Sequence, residues 1–178
     1  MSEFQLYADI FTKADQEELV GFSCGDSTQG KFCTQWILGS DVFDSMKRGT
    51  TVWLFRNQEG KVVGYGSLGI VRWRWPLSDP EGKYTKNLYI PMLGIDKNFQ
   101  GQPTDTEWRF SHQIMNHLIA AAYEINQQLD NPLDWVLLMV APDNTGAIKL
   151  YEHFDFELIP NVTRGPGLRV MQRLMTGE

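Results

Sequence analysis

In the second half of the chain, the spacing of hydrophobic residues predicts a helix, then a strand, then another helix. Residues 134–140, DWVLLMV, form a continuous apolar run of strand length, which is typical of a strand covered on both faces of a sheet. Before it, apolar side chains repeat every three to four positions, which predicts a helix from beyond Gly101 to about Leu129. The same spacing after it predicts a short helix from Gly146 to Phe154. The run at 134–140 is therefore expected to be central in the sheet.

The first half of the chain predicts two short helices and a hairpin. Thr12 to Gly21 has a capping threonine, early acidic residues and a closing glycine, and Lys31 to Leu38 places apolar residues at helical spacing. Thr50 to Asn57 and Lys61 to Val71 are rich in strand-forming residues, and the turn sequence between them is Gln-Glu-Gly. These two runs are expected to pair as a hairpin.

Residues 72–86 interrupt the strand pattern with tryptophans, prolines and a glycine, so they are predicted to form an aromatic insertion. Such a loop could line a substrate pocket or cover a sheet edge, and both interpretations remain open. A strand from Leu88 to Ile95 follows it, and Phe156–Ile159 and Leu168–Leu174 are predicted as closing strands. The element order indicates an α+β or α/β fold, with one mixed, mostly antiparallel sheet of about six to seven strands flanked by helices.

Composition indicates a soluble globular chain. Its 178 residues are 42% hydrophobic and 21% charged, which suits one domain over residues 1–178 and argues against disorder. Lys plus Arg total 16 against 22 Asp plus Glu, a formal charge of -6. We therefore expect no broad nucleic-acid binding, although a local basic cleft is compatible with this balance. Without a basic leader or a bilayer-length apolar run, the expected location is cytoplasmic and no membrane partner is expected.

Cysteine and histidine usage predicts no metal site. The three histidines have no metal-ligand spacing, and Cys24 and Cys33 cannot complete a zinc site by themselves. Two isolated thiols in a chain of this size are expected to be reduced and partly buried.

The stretch from Tyr89 to Gln102, YIPMLGIDKNFQGQ, has the character of a strand that leads into an anion-binding turn. Its apolar half ends at Ile95, a polar turn follows, and Gly101 precedes a region able to start a helix. Backbone amides at such turns lack intrahelical partners and attract phosphate oxygens. A phosphate-bearing cofactor is the functional hypothesis, and an ordinary strand-to-helix connection is the alternative.

Three segments of the chain resemble the GCN5-related N-acetyltransferase family. The family's third strand is similar to VVGYGSLGIV, its fourth strand and pyrophosphate loop to MLGIDKNFQGQ, and its fifth strand and next helix to DWVLLMVAPDNTGAIKLYEHFDFE. The last segment is the most specific of the three. The region LVGFSCGDSTQGKFCTQWI also resembles a subgroup of toxins that acetylate aminoacyl-tRNA.

The resemblance implies that acetyl-CoA binds where the sheet splays between the family's fourth and fifth strands. Its pantetheine arm would pair with the backbone as an added strand, its diphosphate would meet loop amides, and an asparagine would hydrogen-bond the arm. A tyrosine would act as the general acid that protonates the departing thiolate. These residues are Leu93, Gly94 and Ile95 for the arm, Gln100, Gly101 and Gln102 for the diphosphate, Asn144 as the asparagine and Tyr151 as the acid.

The loop after Gly101 departs from the family pattern, because Pro103 and Asp105 stand where two further glycines are usual. In one register Thr104 and Glu107 form a capping box that starts the helix, and the nearby acids repel a diphosphate. In the other register the segment is an insertion, and Arg109, Ser111 or His112 faces the phosphate.

A general base is not identified, since Tyr89, Asn87 and Asp96 are nearby but none is convincing. An acceptor with a modest pKa, such as an aminoacyl α-amine, would need less help from a base.

Three hypotheses follow from these residues and the resemblance. The first is an acetyl-CoA dependent N-acetyltransferase that acts on a primary amine by direct attack, with a small molecule, a protein or an aminoacyl group as acceptor and a homodimer as one form. The second is an aminoacyl-tRNA acetylating toxin with an antitoxin partner. The third is a non-catalytic binding or regulatory module whose cofactor loop is degenerate.

Overall fold

The computed structural model describes residues 2–75 and 81–175, except for the side chain of Trp75. Within this part there are eight strands and five helices. They are β1 (Tyr7–Ile10), α1 (Lys13–Glu18), α2 (Thr28–Leu38), α3 (Asp41–Lys47), β2 (Thr51–Arg56), β3 (Val62–Trp75), β4 (Lys83–Ile90), β5 (Leu93–Ile95), α4 (Phe110–Gln127), β6 (Trp135–Val140), α5 (Thr145–His153), β7 (Glu157–Arg164) and β8 (Leu168–Leu174). The mixed, mostly antiparallel α+β architecture is confirmed, with eight strands instead of six to seven. Strand β1 and helix α3 had no prediction.

The residues group into two compact units. The first contains Met1–Ser67 with Met92–Leu118, and the second contains Leu68–Pro91 with Ile119–Glu178. Strand β3 and helix α4 each begin in the first unit and end in the second. That residues 1–178 form a single domain remains a prediction.

The first unit is a sheet with helices on both faces. Strand β2 lies between β1 and β3, and β3 pairs antiparallel with β5. Along β3, Tyr65 points to α2, where its ring stacks on Trp36 at 5.8 Å and its hydroxyl donates to the Cys33 carbonyl at 2.6 Å. The alternate positions of β3 are glycines that point to α4, because a side chain at Gly64 would meet Ile114. Alternation along one strand therefore builds both layers.

A break divides the predicted strand Leu88–Ile95 into β4 and β5. Ser67 is fully buried, and its hydroxyl accepts from the Met92 amide at 2.9 Å and donates to the Met92 carbonyl at 2.5 Å. Pro91, which has no amide hydrogen, precedes Met92. One serine side chain thus replaces the ladder bonds that Met92 would make in a continuous strand.

The second unit is a mixed sheet in the order β3, β4, β6, β8 and β7. Strand β6 runs parallel to β4 and antiparallel to β8, so the apolar run at 134–140 is a central strand, as predicted. Its Val136, Leu137 and Leu138 are at most 2% exposed. Asn126 closes the connection from α4, since its side chain bonds both the amide and the carbonyl of Leu133.

The prediction of an aromatic insertion over residues 72–86 is wrong at both ends. Strand β3 continues to Trp75 and β4 begins at Lys83, with paired positions from Gly69–Tyr89 to Trp75–Lys83. Tryptophan and tyrosine suit a half-buried strand as well as a loop, and this pairing decided between the two. Residues 76–80 of the predicted insertion lie outside the described residues.

The long helix begins later than predicted, at Phe110, and ends at Gln127. The capping box at Thr104 is therefore wrong, and the register that treats the preceding segment as an insertion stays a prediction with which this helix start is compatible. Gln113 shows what holds the helix start, because its side chain donates to the carbonyls of Phe4 and Trp108 and accepts from the amide of Leu6. The amino-terminal segment, distant in sequence, positions this helix end.

Replacing Gly64 with alanine is expected to destabilise the protein by about 1–3 kcal/mol, the usual cost of overpacking. The new Cβ would lie 2.5 Å from the Gly94 carbonyl oxygen and 3.1 Å from the Ile114 side chain, and a strand carbonyl cannot move away cheaply. Urea unfolding of the variant measures the loss. Gly146→Ala is the matched control, because no atom lies within 4 Å of its added Cβ. Equal stability of both variants would contradict the close approach at β5.

Candidate functional site

Strand β5 contributes the first group of predicted cofactor residues. Leu93, Gly94 and Ile95 pair with β3 along one edge, and the described residues of the first unit provide no strand for the other edge. Gly94 lies against the protein interior, where an added Cβ would come within 2.6 Å of the Cys24 sulfur. A short strand with an unpaired edge and an immobile backbone can bind an extended, amide-bearing ligand as another strand.

The loop after β5 is anchored by its own side chains. Asp96 is buried and accepts from the amides of Ser23 at 3.1 Å and Asn98 at 2.9 Å. The Gln100 side chain donates to the carbonyls of Cys24 at 2.8 Å and Ile95 at 2.9 Å. Gly101 then turns the chain with a φ of 76°, a conformation that other residues rarely adopt. Of the predicted diphosphate ligands, Gln100 and Gly101 therefore sit on an ordered turn.

The remainder of this loop is less suited to an anion. The Gln102 amide already donates to the Phe99 carbonyl at 3.4 Å, and Pro103 has no amide hydrogen. The Asp105 carboxylate accepts from the Glu107 amide at 3.1 Å, so this segment carries its own acids. A pocket of about 470 Å³ next to it is lined by Glu3 and Asp105 among other residues, and these carboxylates disfavour a phosphate.

The positive start of α4 lies at the far end of this loop. Arg109 caps the helix, because its carbonyl accepts from the Gln113 amide at 3.0 Å, and its guanidinium reaches the Thr104 carbonyl at 3.5 Å. Ser111 and His112 occupy the first turn, where amides have no intrahelical partner, and His112 is 8% exposed. The alternative phosphate ligands Arg109, Ser111 and His112 thus lie at a helix amino terminus.

Two thiols lie beside β5 without bonding to each other. Burial raises the pKa of Cys24 to about 12 and the pKa of Cys33 to about 11. Both are free cysteines, and the Cys33 sulfur contacts the Leu93 carbonyl at 3.5 Å. Because the reactive form of cysteine is the thiolate, these two groups are unsuited to act as acyl-accepting nucleophiles near neutral pH.

Helix α5 carries the remaining two predicted residues. Asn144 caps the helix, with its side-chain oxygen accepting from the Ala147 amide at 3.3 Å, which leaves the two amide hydrogens of its NH2 group for other acceptors. Tyr151 is seven positions further along, is 9% exposed, and packs against Phe156 with ring centroids 6.1 Å apart. Seven residues are about two helical turns, so both side chains lie on the same side of α5.

The three residues that the sequence places near the site as candidate bases are each engaged in other interactions or lack basic character. Burial raises the pKa of Tyr89 to about 12, partly offset by the charge of Arg164, so its phenol keeps its proton. Asp96 already accepts from two backbone amides, and Asn87 is a buried amide without basic character.

A cluster that sequence reasoning missed surrounds Tyr89 in the second unit. Trp73 packs on Tyr89 with ring centroids 5.1 Å apart, and the Arg164 guanidinium lies over the Trp73 ring at 4.1 Å. These residues come from β3, β4 and the end of β7, so no local signal connects Arg164 with the two aromatics.

Among the described residues no helix is long and apolar enough to cross a bilayer, and no group of three or more metal-ligating side chains is assembled. No protein-family model matches the sequence, and no curated protein matches it.

Solved structures resemble the chain over nearly its whole length. A GNAT-family acetyltransferase from Staphylococcus aureus Mu50 has a TM-score of 0.62 and 14% identity, with 97% of this chain and 100% of that chain covered. AtaT in complex with acetyl-methionyl-tRNAfMet has a TM-score of 0.63 and 17% identity, covering 93% and 94%. AtaTR bound with acetyl-CoA has a TM-score of 0.60 and 18% identity, covering 94% and 93%. The chain therefore has the fold of the GCN5-related N-acetyltransferases, as its sequence motifs imply.

Proposed function

We propose that this protein is an acetyl-CoA dependent N-acetyltransferase that transfers an acetyl group to a primary amine. The observation that carries the proposal is helix α5, which follows the central strand β6 and presents Asn144 and the buried Tyr151 on one side. Structures with the same fold include an acetyltransferase and a complex with acetyl-CoA. The proposed setting is the cytoplasm, where free thiols such as Cys24 and Cys33 stay reduced.

Each predicted residue has a task that suits its environment. The backbone of Leu93, Gly94 and Ile95 would orient the pantetheine arm along the unpaired edge of β5. The NH2 group of Asn144 would donate to a carbonyl of that arm. The amides of Gln100 and Gly101 would receive the diphosphate at the Gly101 turn, and the Gln102 amide could join them only by giving up its bond to the Phe99 carbonyl. Arg109 at the start of α4 adds a positive charge at the end of the same loop.

Acetyl-CoA, when bound, supplies a thioester whose acyl carbon is open to attack by a neutral amine. Transfer forms a C–N bond and breaks the C–S bond, so the thiolate gains one proton and the amine loses one. Tyr151 would donate its phenolic proton to the sulfur. An α-amine has a pKa of about 8, so a useful fraction is neutral at physiological pH and water can accept its proton. This acceptor class fits a protein in which Tyr89 and Asp96 do not serve as bases.

Calorimetry with acetyl-CoA is expected to show saturable binding that depends on the Asn144 amide. Asn144→Asp keeps a side-chain oxygen that can cap α5 and replaces the NH2 donor by a carboxylate oxygen, which would face the cofactor as an acceptor with a negative charge, so cofactor affinity should fall at least about tenfold while thermal stability changes little. Absence of acetyl-CoA binding to the unsubstituted protein would instead support the non-catalytic module. Unchanged affinity in the variant would remove Asn144 from the cofactor site.

Tyr151→Phe is expected to lower the turnover number about a hundredfold or more, because the variant cannot protonate the leaving thiolate. Its acetyl-CoA affinity should be retained, since the ring that packs on Phe156 is unchanged. Tyr123→Phe is the matched control, because it removes a half-buried hydroxyl that accepts from Arg173 at 3.1 Å, outside the proposed site. Initial rates with amine acceptors measure the effect, and full activity of Tyr151→Phe would refute the assignment.

A second candidate function, acetylation of aminoacyl-tRNA, has support from a basic ribbon on β3 and β4. Arg72 pairs in register with Lys86, and Arg74 with Tyr84, so all four side chains share one face and all are exposed. The Arg74 guanidinium lies over the Tyr84 ring at 5.0 Å. Cations interleaved with aromatic rings suit a nucleic-acid backbone and its bases, even on a chain with a net charge of -6. One structure of the same fold is a complex with acetyl-methionyl-tRNAfMet. On this candidate an antitoxin would be a further partner.

The double variant Arg72→Ala/Lys86→Ala is expected to bind aminoacyl-tRNA about tenfold more weakly and to reduce the salt dependence of binding, because two phosphate contacts are lost. Fluorescence anisotropy at two salt concentrations measures both changes. Lys47→Ala/Lys61→Ala is the control, since these exposed lysines pair with Asp44 and Glu59. Equal tRNA affinity of the two double variants would exclude the ribbon as an RNA contact.

A further inference from the structure

The cluster of Trp73, Tyr89 and Arg164 lies on the opposite face of the β3–β4 pair from the basic ribbon. Strand registry sets this arrangement for the two aromatics, because side chains alternate along β3, and both Trp73 and Gly69, the partner of Tyr89, lie an odd number of positions from Arg72 and Arg74. The residue opposite Tyr89 is Gly69, which has no side chain to cover the phenol ring. All three members of the cluster are half-buried.

Arg164 has no electrostatic partner of opposite sign in the described part of the chain. Its guanidinium stacks on Trp73 at 4.1 Å, and no described carboxylate forms an ion pair with it. Arg56 illustrates the contrast, since this half-buried arginine is held by Asp9, Asp15 and Glu18. A half-buried guanidinium that stacks on an aromatic ring gains cation–π stabilisation but keeps its full positive charge and its N–H donors, so it can still bind an anion.

The neighbouring aromatic groups add hydrogen-bond donors and no competing charge. The indole N–H of Trp73 and the hydroxyl of Tyr89 make no hydrogen bond to a described residue. Burial raises the pKa of the Tyr89 phenol, so this hydroxyl remains a neutral donor. Guanidinium, indole and phenol thus bring N–H and O–H donors and one positive charge into a single cluster, which suits a carboxylate or a phosphate.

We infer that Trp73, Tyr89 and Arg164 form an anion subsite that binds a carboxylate or phosphate group of the acceptor amine. Anion binding by this cluster is inferred from its geometry alone. That the anion belongs to the acceptor amine rests on the proposed function. It narrows the acceptor to amines that also carry an anionic group, and it makes Arg164 a specificity-determining residue.

Anion binding is measured directly through the indole resonance of Trp73 in a nitrogen-15 spectrum, which Trp73→Phe identifies among the six tryptophans. Sodium acetate and sodium phosphate are titrated separately against sodium chloride at constant ionic strength. We expect a saturable shift with one of the two anions, and the anion that binds more tightly identifies the group. No saturable shift with either anion would overturn the inference.

Arg164→Met keeps an unbranched chain on the Trp73 ring and removes the charge, so anion affinity should fall at least about tenfold. Arg74→Met is the matched control, because it removes an arginine that stacks on a tyrosine on the opposite face of the same strands. Unchanged positions of the other indole resonances establish that both variants are folded. Equal anion affinity of the two variants would overturn the role of Arg164.

The acceptor role is tested with acetyl-CoA present at saturation. Retained anion binding supports an acceptor subsite, whereas displacement by acetyl-CoA assigns the cluster to a phosphate of the cofactor and overturns it. With an α-amino acid and its carboxamide as paired acceptors, Arg164→Met should raise KM at least about tenfold for the acid alone and leave kcat similar. Anion binding by a protein that fails to bind acetyl-CoA would retain the anion subsite and refute both the acceptor role and the proposed function.

Discussion

The hydroxyl of Ser67 bonds both backbone groups of Met92, and much of the fold depends on this interaction. Because this buried hydroxyl bonds both backbone groups of a residue that has left the strand ladder, the chain can end β4 at Ile90 and resume as β5 at Leu93 while the amide and carbonyl of Met92 stay paired. Strand β4 then pairs with β6, while β5 pairs with β3 alone in its unit. The edge that suits an extended ligand exists because one serine replaces two ladder bonds.

Side chains that looked available for chemistry are largely engaged in building these elements. Asp96 and Gln100 hold the loop after β5, Gln113 ties the amino-terminal segment to the start of α4, and the oxygen of Asn144 caps α5. Such contacts fix the positions of backbone amides and of the groups that remain uncommitted. Asn144 has both roles because an amide has an acceptor and two donors. A ligand for this fold would therefore meet mostly main chain, with few side chains contributing chemistry.

Local charge matters more than net charge in this protein. The formal charge of -6 predicts weak attraction for polyanions, yet Arg72, Arg74 and Lys86 share one exposed face of two paired strands. Electrostatic interactions decay over about 10 Å at 0.1 M salt, so distant carboxylates do not cancel a compact group of cations. On the opposite face the Arg164 guanidinium, contributed by β7, is held on the ring of Trp73. The two faces thus suit different anions, an extended backbone on one and a small group on the other.

The sequence by itself determined the elements whose signal is local. The apolar run at 134–140, the cap and apolar face of α5, and the hairpin of β2 and β3 follow from spacing and turn chemistry, and the structure has all of them. The motifs within these elements were also sufficient to indicate the acetyltransferase fold. Tertiary structure decided the features for which the local sequence is compatible with two different structures. Trp73 is equally suited to a loop or a strand until β4 pairs beside it. The capping signal at Thr104 lost to contacts of Gln113 with residues more than a hundred positions away. The contact between Arg164 and Trp73 likewise joins two residues that are far apart in the sequence, and hydrophobic periodicity does not predict such a contact.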